Sequence, residues 1–81
     1  MKFIWPESAR AELRAIDREI ASRILRALTE YGESGVADVK ALTGEWRGQF
    51  RIRVGDYRVI FTIAPDEITI VRVRHRSDIY R

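Results

Sequence analysis

The sequence has no cysteine among its 81 residues, only two prolines and a single histidine. Without cysteine, neither a disulfide nor a thiolate metal site can stabilise the fold, and the redox compartment is left open. His75 has no second histidine and no suitably spaced carboxylates to complete a ligand set. There is also no glycine-rich phosphate loop. We therefore expect no metal and no cofactor.

Long hydrophobic runs are missing as well. No segment approaches the roughly 20 apolar residues of a membrane span, and the first residues, which become charged at Glu7, lack the apolar centre of a signal peptide. We therefore expect a cytoplasmic protein without a membrane partner. Hydrophobic residues make up 46% of the chain, and no repeat or linker divides it, which predicts a single folded domain over residues 1–81.

Lysine is scarce, and arginine supplies most of the positive charge. Residues 1–46 carry 7 basic and 8 acidic side chains, net −1, whereas residues 47–81 carry 8 arginines and 4 acidic side chains, net +4. Of the 15 basic residues, only Lys2 and Lys40 are lysines. Because arginine pairs with phosphate or carboxylate through two parallel hydrogen bonds, the basic half suggests recognition of such anions. An arginine-rich genome would produce the same bias.

The first part of the chain predicts a strand followed by helical structure. Lys2–Trp5 has the pattern of a short strand, which Pro6 ends. From Ala9 to Tyr31 apolar residues recur in steps of three and four, as on one face of a helix. This periodicity does not distinguish one helix from two, although Asp17 is a suitable N-cap for a second helix.

The middle of the chain is expected to connect the helices to a sheet. Gly32 and Gly35 are expected to close the helical part, and residues 36–48 to form a connecting segment. Both tryptophans, Trp5 and Trp46, are predicted to lie in the core.

A two-residue turn sets the register of the first predicted hairpin. Gly55 and Asp56 suit a type II′ turn, which places Arg53 directly opposite Arg58. Because successive side chains of a strand point to opposite faces, Arg51 shares a face with both, while apolar residues cover the other face. Directly opposed like charges destabilise a sheet, so this arrangement suggests a bound anion.

The register of the last predicted strand depends on the length of the preceding loop. A three-residue loop pairs Arg58 with Arg72, whereas a four-residue loop would bury two arginines, a cost that leads us to reject it. The shorter loop puts Ile68, Ile70, Arg72 and Arg74 beside the other arginines and Val71 and Val73 in the core. We name the resulting surface the cationic face: the sheet face that carries Arg51, Arg53, Arg58, Arg72 and Arg74, with Ile60 and Ile70 at its centre.

The C-terminal segment supplies candidates for proton transfer. Ser77, His75 and Asp78 are too crowded along the chain to form a Ser-His-Asp relay. Metal-free cleavage of RNA needs a group that accepts the 2′-hydroxyl proton, an acid for the leaving oxygen and cations around the phosphorane. The arginines are candidate cations, and Tyr80 and His75 are candidate acid or base. A solvated sheet face and a frayed chain end are the structural alternatives.

Three segments, FIWPESARAELRAID, LTGEWRGQFRIRVGDYRVIF and IVRVRHRSDIYR, together resemble the RelE family of toxins within the RelE/ParE superfamily. The resemblance implies a RelE-like α+β fold: an N-terminal strand, a two-helix hairpin and a three-stranded antiparallel meander that completes a four-stranded, mainly antiparallel sheet. It further implies a toxin of a type II toxin–antitoxin system that cleaves mRNA on the ribosome without a metal. The implied partners are a cognate antitoxin, the ribosome and mRNA, together with operator DNA bound through the antitoxin.

The resemblance also assigns roles to single residues. It implies catalytic roles for Arg58, Arg74, Tyr80 and His75, and RNA or phosphate contacts for Arg51, Arg53 and Arg76. Arg72, which the predicted register places on the same face, is expected to contact RNA or phosphate as well. Some relatives have lysine where this chain has Arg51 and Arg53, so cleavage that needs a titratable lysine would be slower here or would depend on His75. Two alternatives are a ParE-like toxin acting on DNA gyrase and a non-catalytic homologue that only binds antitoxin and represses transcription. The arginines together with Tyr80 favour the ribonuclease.

Overall fold

A computed structural model describes residues 1–80 of the chain. Its elements are, in chain order, β1 (Lys2–Ile4), α1 (Glu7–Arg14), α2 (Arg18–Ser34), β2 (Val39–Ala41), a 3-10 turn (Gly44–Trp46), β3 (Phe50–Val54), β4 (Tyr57–Ala64) and β5 (Glu67–His75). Within this part of the chain the strands form one sheet in the order β1-β5-β4-β3-β2, with β1 parallel to β5 and the other neighbours antiparallel. The predicted α+β class is confirmed.

The helical part divides in two at Asp17. The Asp17 carboxylate accepts hydrogen bonds from the backbone N–H groups of Glu19 and Ile20, at 3.1 and 3.4 Å, as an N-cap does. Helix α2 ends at Gly35, whose φ of 72° lies in the left-handed region that favours glycine. Gly32 lies within α2 and does not close it. Neither helix, within residues 1–80, is long and apolar enough to cross a bilayer.

Both helices pack on the face of the sheet opposite the cationic face. The buried core consists of Ala9, Ile24 and Leu28 from the helices and Ile52, Val59, Phe61, Ile68, Ile70 and Val73 from the sheet. Apart from Ala9, burial of side chains of this size stabilises a fold by about 1.5–3 kcal/mol each. Because strand residues alternate between faces, the residues between these core positions, including the arginines of β3, β4 and β5, lie on the opposite face. Trp5 packs against the core, as predicted.

The connecting segment contains a strand that was not predicted. Strand β2 pairs antiparallel with β3, so the sheet has one strand more than the four expected. Three residues are too few to establish an alternating pattern, so β2 could not be predicted from the sequence. The core position predicted for Trp46 is also wrong, because Trp46 lies in the 3-10 turn, outside the core cluster.

The turn between β4 and β5 is shorter than predicted. Pro65 and Asp66 form a two-residue turn, so that Ala64 lies opposite Glu67. Asp66 has a φ of 63°, a conformation that aspartate tolerates better than most residues. The three-residue loop is therefore incorrect.

A β-bulge at Val71 corrects the predicted register of β5. The two-residue turn shifts the register by one residue and the bulge by one more, so that Arg58 lies opposite Arg74 and not opposite Arg72. Because of the shorter turn, Ile68 and Ile70 face the core, and not the cationic face as predicted. Val71, which was expected in the core, is 38% exposed. The two arginines of β5 keep their predicted face because they follow the bulge.

Candidate functional site

The cationic face arranges its side chains in two rows across the sheet. One row consists of Arg53, Arg58 and Arg74, on β3, β4 and β5. The other consists of Lys40, Arg51, Ile60 and Arg72, on β2, β3, β4 and β5. Neighbouring strands lie about 4.8 Å apart, so the opposed positive charges repel one another. An anion bound between them would turn this repulsion into attraction.

Arg58 stands at the centre of the first row. Its Nη1 donates hydrogen bonds to the carbonyl oxygens of Gly55 and Tyr57, at 2.8 and 3.0 Å, which fixes the guanidinium over the hairpin. Burial lowers the pKa of Arg58, and the positive charges of nearby arginines lower the pKa further. These arginines are Arg53, Arg51 and Arg76, and the charge of Asp56 opposes them in part. The local environment therefore opposes the positive charge of Arg58, and a further negative charge beside it would be favourable.

The two arginines of β3 differ in their surroundings. The Arg51 side chain is only 19% exposed, and its Nη2 lies 3.5 Å from Oδ1 of Asp38. Arg53 is exposed and forms no ion pair with any residue of the described range. Arg53 is therefore accessible to an external anion, whereas Arg51 is mostly buried and paired with Asp38.

Arg74 is held by a carboxylate from helix α1. Oε2 of Glu12 accepts a hydrogen bond from Nε of Arg74 at 2.6 Å, and Oε1 accepts one from the backbone N–H of Val73 at 2.8 Å. The second bond is available because β1 pairs with β5 only as far as Thr69, so the later part of β5 is an open edge. The Glu12 side chain thus satisfies a backbone N–H at the open edge of β5 and also orients Arg74.

Tyr80 is brought to the cationic face by the turn that follows β5. Nη1 of Arg72 donates a 2.6 Å hydrogen bond to the carbonyl of Ile79, whose side chain is 1% exposed. The Tyr80 ring meets the Trp46 ring edge-to-face at 5.6 Å, and the Arg72 guanidinium lies 5.3 Å from the Trp46 ring centre. Tyr80 itself remains 49% exposed. Two predicted site residues, Arg72 and Tyr80, are therefore brought together around Trp46.

His75 does not join them. It lies opposite Tyr57 in the sheet, and their rings meet edge-to-face at 5.5 Å on the side that carries the core. The backbone N–H of Ser77 donates to Nδ1 of His75 at 3.1 Å, and Ser77 Oγ lies 2.9 Å from the same nitrogen. His75 is thus on the face opposite the arginines.

Arg76 links the C-terminal turn to the first hairpin. Its backbone N–H donates to the Asp56 carbonyl at 2.8 Å, and its Nε lies 3.7 Å from the Asp56 carboxylate. Both side chains are well exposed, so the ion pair itself contributes little. The backbone bond is the firmer link, and it places the charge of Arg76 near Arg58.

Sequence reasoning missed three contributors to this site. Lys40 was missed together with β2, and Trp46 was misplaced because its hydrophobicity alone suggested the core. Glu12 was given no role, although its position three residues after buried Ala9 puts it next to the buried stripe. That spacing was the one signal that could have identified Glu12.

Comparison with known proteins relates this architecture to one class of toxin. Residues 3–80 match the family model described as the ParE toxin of type II toxin–antitoxin system, parDE. The chain is 31% identical to Toxin RelE3 of Methanocaldococcus jannaschii over 85 residues, which cover 99% of this chain and 96% of the relative. It is 36% identical to Toxin RelG of Mycobacterium tuberculosis over 70 residues, which cover 78% of this chain and 80% of the relative.

A solved structure gives the same relationship at the level of the fold. The toxin–antitoxin complex RelBE2 from Mycobacterium tuberculosis contains a chain that superposes with a TM-score of 0.81 at 26% identity, covering 93% of this chain and 96% of that chain. Fold and sequence together define a type II toxin of the RelE/ParE superfamily. By the family model, the chain belongs to the ParE toxin family, and its named relatives carry RelE-type names.

Proposed function

We propose that this toxin is an endoribonuclease that cleaves mRNA on the ribosome without a metal ion and thereby inhibits translation. The row formed by Arg53, Arg58 and Arg74 is the observation that carries this proposal. Three guanidinium groups aligned across neighbouring strands are unfavourable alone and favourable around a phosphate. Desolvation and neighbouring positive charge act against the cationic form of the central arginine, which an RNA phosphate would reverse.

In this proposal the arginines stabilise charge and Tyr80 transfers a proton. Arg58 and Arg74 neutralise the phosphorane that forms when the 2′-hydroxyl attacks the adjacent phosphorus. The Tyr80 side chain is about half exposed and lies beside Arg72, on the same side of the sheet. We assign proton transfer to Tyr80 in preference to His75, which lies on the other face. Arg51, Arg53, Arg72 and Arg76 hold the RNA backbone.

The proposed partners follow from the family and from this surface. A cognate antitoxin is expected because the chain is a type II toxin and its relative from Mycobacterium tuberculosis was solved as a toxin–antitoxin complex. We propose that the antitoxin neutralises the toxin in the cytoplasm, and that the complex binds operator DNA through the antitoxin. The net charge of +3 suits association with ribosomal RNA.

The test is cleavage of mRNA bound to ribosomes by purified wild-type toxin and by Arg58→Ala. Loss of one charge-stabilising donor typically costs about 10²–10³-fold in rate, so Arg58→Ala should lose cleavage while its thermal unfolding stays close to wild type. Arg26→Ala, which removes an exposed arginine from α2, is the matched control for charge. Equal cleavage by wild type and Arg58→Ala would refute the site.

A second variant tests the proton-transfer group. Tyr80→Phe keeps the ring and removes the hydroxyl, so it should slow cleavage while RNA binding is retained. Full activity in Tyr80→Phe would leave the tyrosine a stacking role only and would return the proton-transfer role to another group.

Two other functions remain candidates because the matching family model is that of ParE. A toxin directed at DNA gyrase should change supercoiling in cells and leave transcripts uncut, whereas the ribonuclease should produce codon-phased 5′ ends and stop translation. A non-catalytic homologue should bind antitoxin tightly and leave ribosome-bound mRNA intact. Mapping of transcript 5′ ends after induction identifies the ribonuclease, and a measurement of DNA supercoiling in the same cells separates the other two.

A further inference from the structure

Trp46 is a large aromatic residue that the core does not use. It lies in the 3-10 turn between β2 and β3 and is partly buried, although it is not part of the core cluster. Its ring contacts two residues of the cationic face, the guanidinium of Arg72 and the ring of Tyr80. The chemistry proposed above does not use Trp46.

We propose that Trp46 is a positioning residue that holds Tyr80 against the cationic face for proton transfer. The proposal rests on the ribonuclease function proposed above and adds one residue to its machinery. Trp46 acts through Tyr80, and the RNA need not touch it.

Tyr80 needs such support because no regular element contains it. Residues 76–80 form turns beyond β5, and the backbone hydrogen bonds of this segment join Arg76 to Asp56 and Asp78 to His75. Two contacts bring the tyrosine back to the sheet. One is the bond from Arg72 to the Ile79 carbonyl, and the other is the edge-to-face contact between Tyr80 and Trp46.

The backbone around Trp46 is well suited to support another side chain. The N–H of Trp46 donates to the Thr43 carbonyl at 3.2 Å, and the Trp46 carbonyl accepts from Gln49 at 3.1 Å. Leu42 N–H in turn donates to the Gln49 carbonyl at 2.9 Å, which closes the loop. The indole therefore projects from a tightly hydrogen-bonded connection between two paired strands. Such a base restricts the motion of whatever packs against it.

Arg72 completes a closed set of contacts. Its guanidinium lies over the Trp46 ring and donates to the residue before Tyr80. The aromatic contact, the cation–π contact and the hydrogen bond therefore reinforce one another. Removal of the indole should loosen both links to the tyrosine at once.

A fluorescence experiment tests the contact itself. The chain has two tryptophans, so Trp5→Phe leaves Trp46 as the single indole reporter. In that background Tyr80→Ala should shift the Trp46 emission to longer wavelength and increase its quenching by acrylamide, because one side of the indole becomes exposed. Tyr80→Phe keeps the ring and should change neither. Unchanged emission and quenching in Tyr80→Ala overturn the proposal.

A kinetic experiment on ribosome-bound mRNA tests the consequence. Aromatic pairs typically contribute the equivalent of about 2- to 13-fold in an equilibrium, so Trp46→Ala should lower kcat by a factor in that range with KM nearly unchanged. Trp46→Phe, which keeps a ring, should lose less. Combining Trp46→Ala with Tyr80→Ala should add little to the loss caused by Tyr80→Ala alone.

The outcomes separate this proposal from the proposed function. A rise in KM with unchanged kcat would mean that Trp46 contacts the RNA and does not position Tyr80, which overturns the proposal. Circular dichroism shows whether Trp46→Ala is folded. If it is not, the emission of the Tyr80 variants still tests the contact, because those variants leave the indole in place. A wild-type protein that cleaves nothing refutes the ribonuclease function, while the emission measurements still decide whether Trp46 holds Tyr80.

Discussion

Replacing Glu12 by alanine should destabilise the fold far more than its place on a helix surface would suggest. The Glu12 carboxylate bridges two groups of β5, the backbone N–H of Val73 and the guanidinium of Arg74. The side chains of Glu12 and Arg74 are 21% and 38% exposed, so water can replace these bonds only in part. Glu12→Ala leaves a strand N–H and a site arginine without the acceptor they share.

The expected magnitude is about 2–3 kcal/mol. An unsatisfied N–H in a poorly solvated position costs about 1–3 kcal/mol, and a partly buried ion pair of this kind contributes about 1 kcal/mol. The better helix propensity of alanine offsets a few tenths of a kcal/mol. For a domain of this size, 1 kcal/mol lowers the melting temperature by about 4–8 °C, so Glu12→Ala should melt about 8–24 °C below wild type.

Helix α1 contains a matched control for this prediction. Glu7 and Arg14 form an ion pair with the same 2.6 Å separation, but their side chains are 75% and 63% exposed. Glu7→Ala should therefore leave the melting temperature almost unchanged, because solvent already competes for the pair. Glu12→Gln should fall between the two variants, since its amide oxygen can still accept from the Val73 N–H.

The assay is thermal and urea unfolding of the wild type, the three Glu variants, Arg74→Ala and the Glu12→Ala/Arg74→Ala double mutant. The cycle should give a coupling free energy of about 1 kcal/mol between Glu12 and Arg74. If Glu12→Ala melts within 3 °C of wild type, or if Glu7→Ala is equally destabilising, burial of the bridge does not decide its strength.

Three further changes test other parts of the structure. Asp17→Ala removes the N-cap of α2 and should cost about 1 kcal/mol in urea unfolding; an unchanged midpoint would mean that the cap is dispensable. Gly35→Ala should cost about 1–2 kcal/mol, because φ is 72° while no atom lies near the added methyl group; equal stability would refute backbone strain as the cause. Ile79→Ala should speed hydrogen exchange of the Asp78 amide, which donates to His75, with little effect on exchange in the core. Uniform acceleration throughout the chain would contradict this local role.

Much of the fold was predictable because its determinants are local. The turn at Gly55 and Asp56 specifies its own geometry, and it correctly placed Arg53 opposite Arg58. The Asp17 side chain caps α2 by accepting from the N–H of Glu19, only two residues further on, so the break between the helices could be anticipated. The sharing of one face by the arginines then followed from the alternation of side chains along a strand.

The features that were not predictable depend on partners distant in sequence or on ambiguous patterns. Glu12 meets Arg74 across 62 positions, and nothing near Glu12 identifies that partner. In β5, apolar residues occupy both faces of the alternation from Ile68 to Val73, so regular alternation and a bulge fit the sequence equally well. The bulge is favoured by tertiary packing, because only with the bulge do Ile68, Ile70 and Val73 all face the core.

The bulge at Val71 makes this position the place where β5 can lose a residue without moving its side chains to the wrong face. The strand consists of two segments in opposite phase: one anchors the core through Ile68 and Ile70, and the other presents Arg72 and Arg74 on the cationic face. Deletion of Val71 would restore a continuous alternation in which the two isoleucines still face the core and the two arginines still lie on the cationic face. A chain shortened by Val71 alone should therefore keep both its packing and its site, and substitutions at the exposed Val71 should be accepted as well.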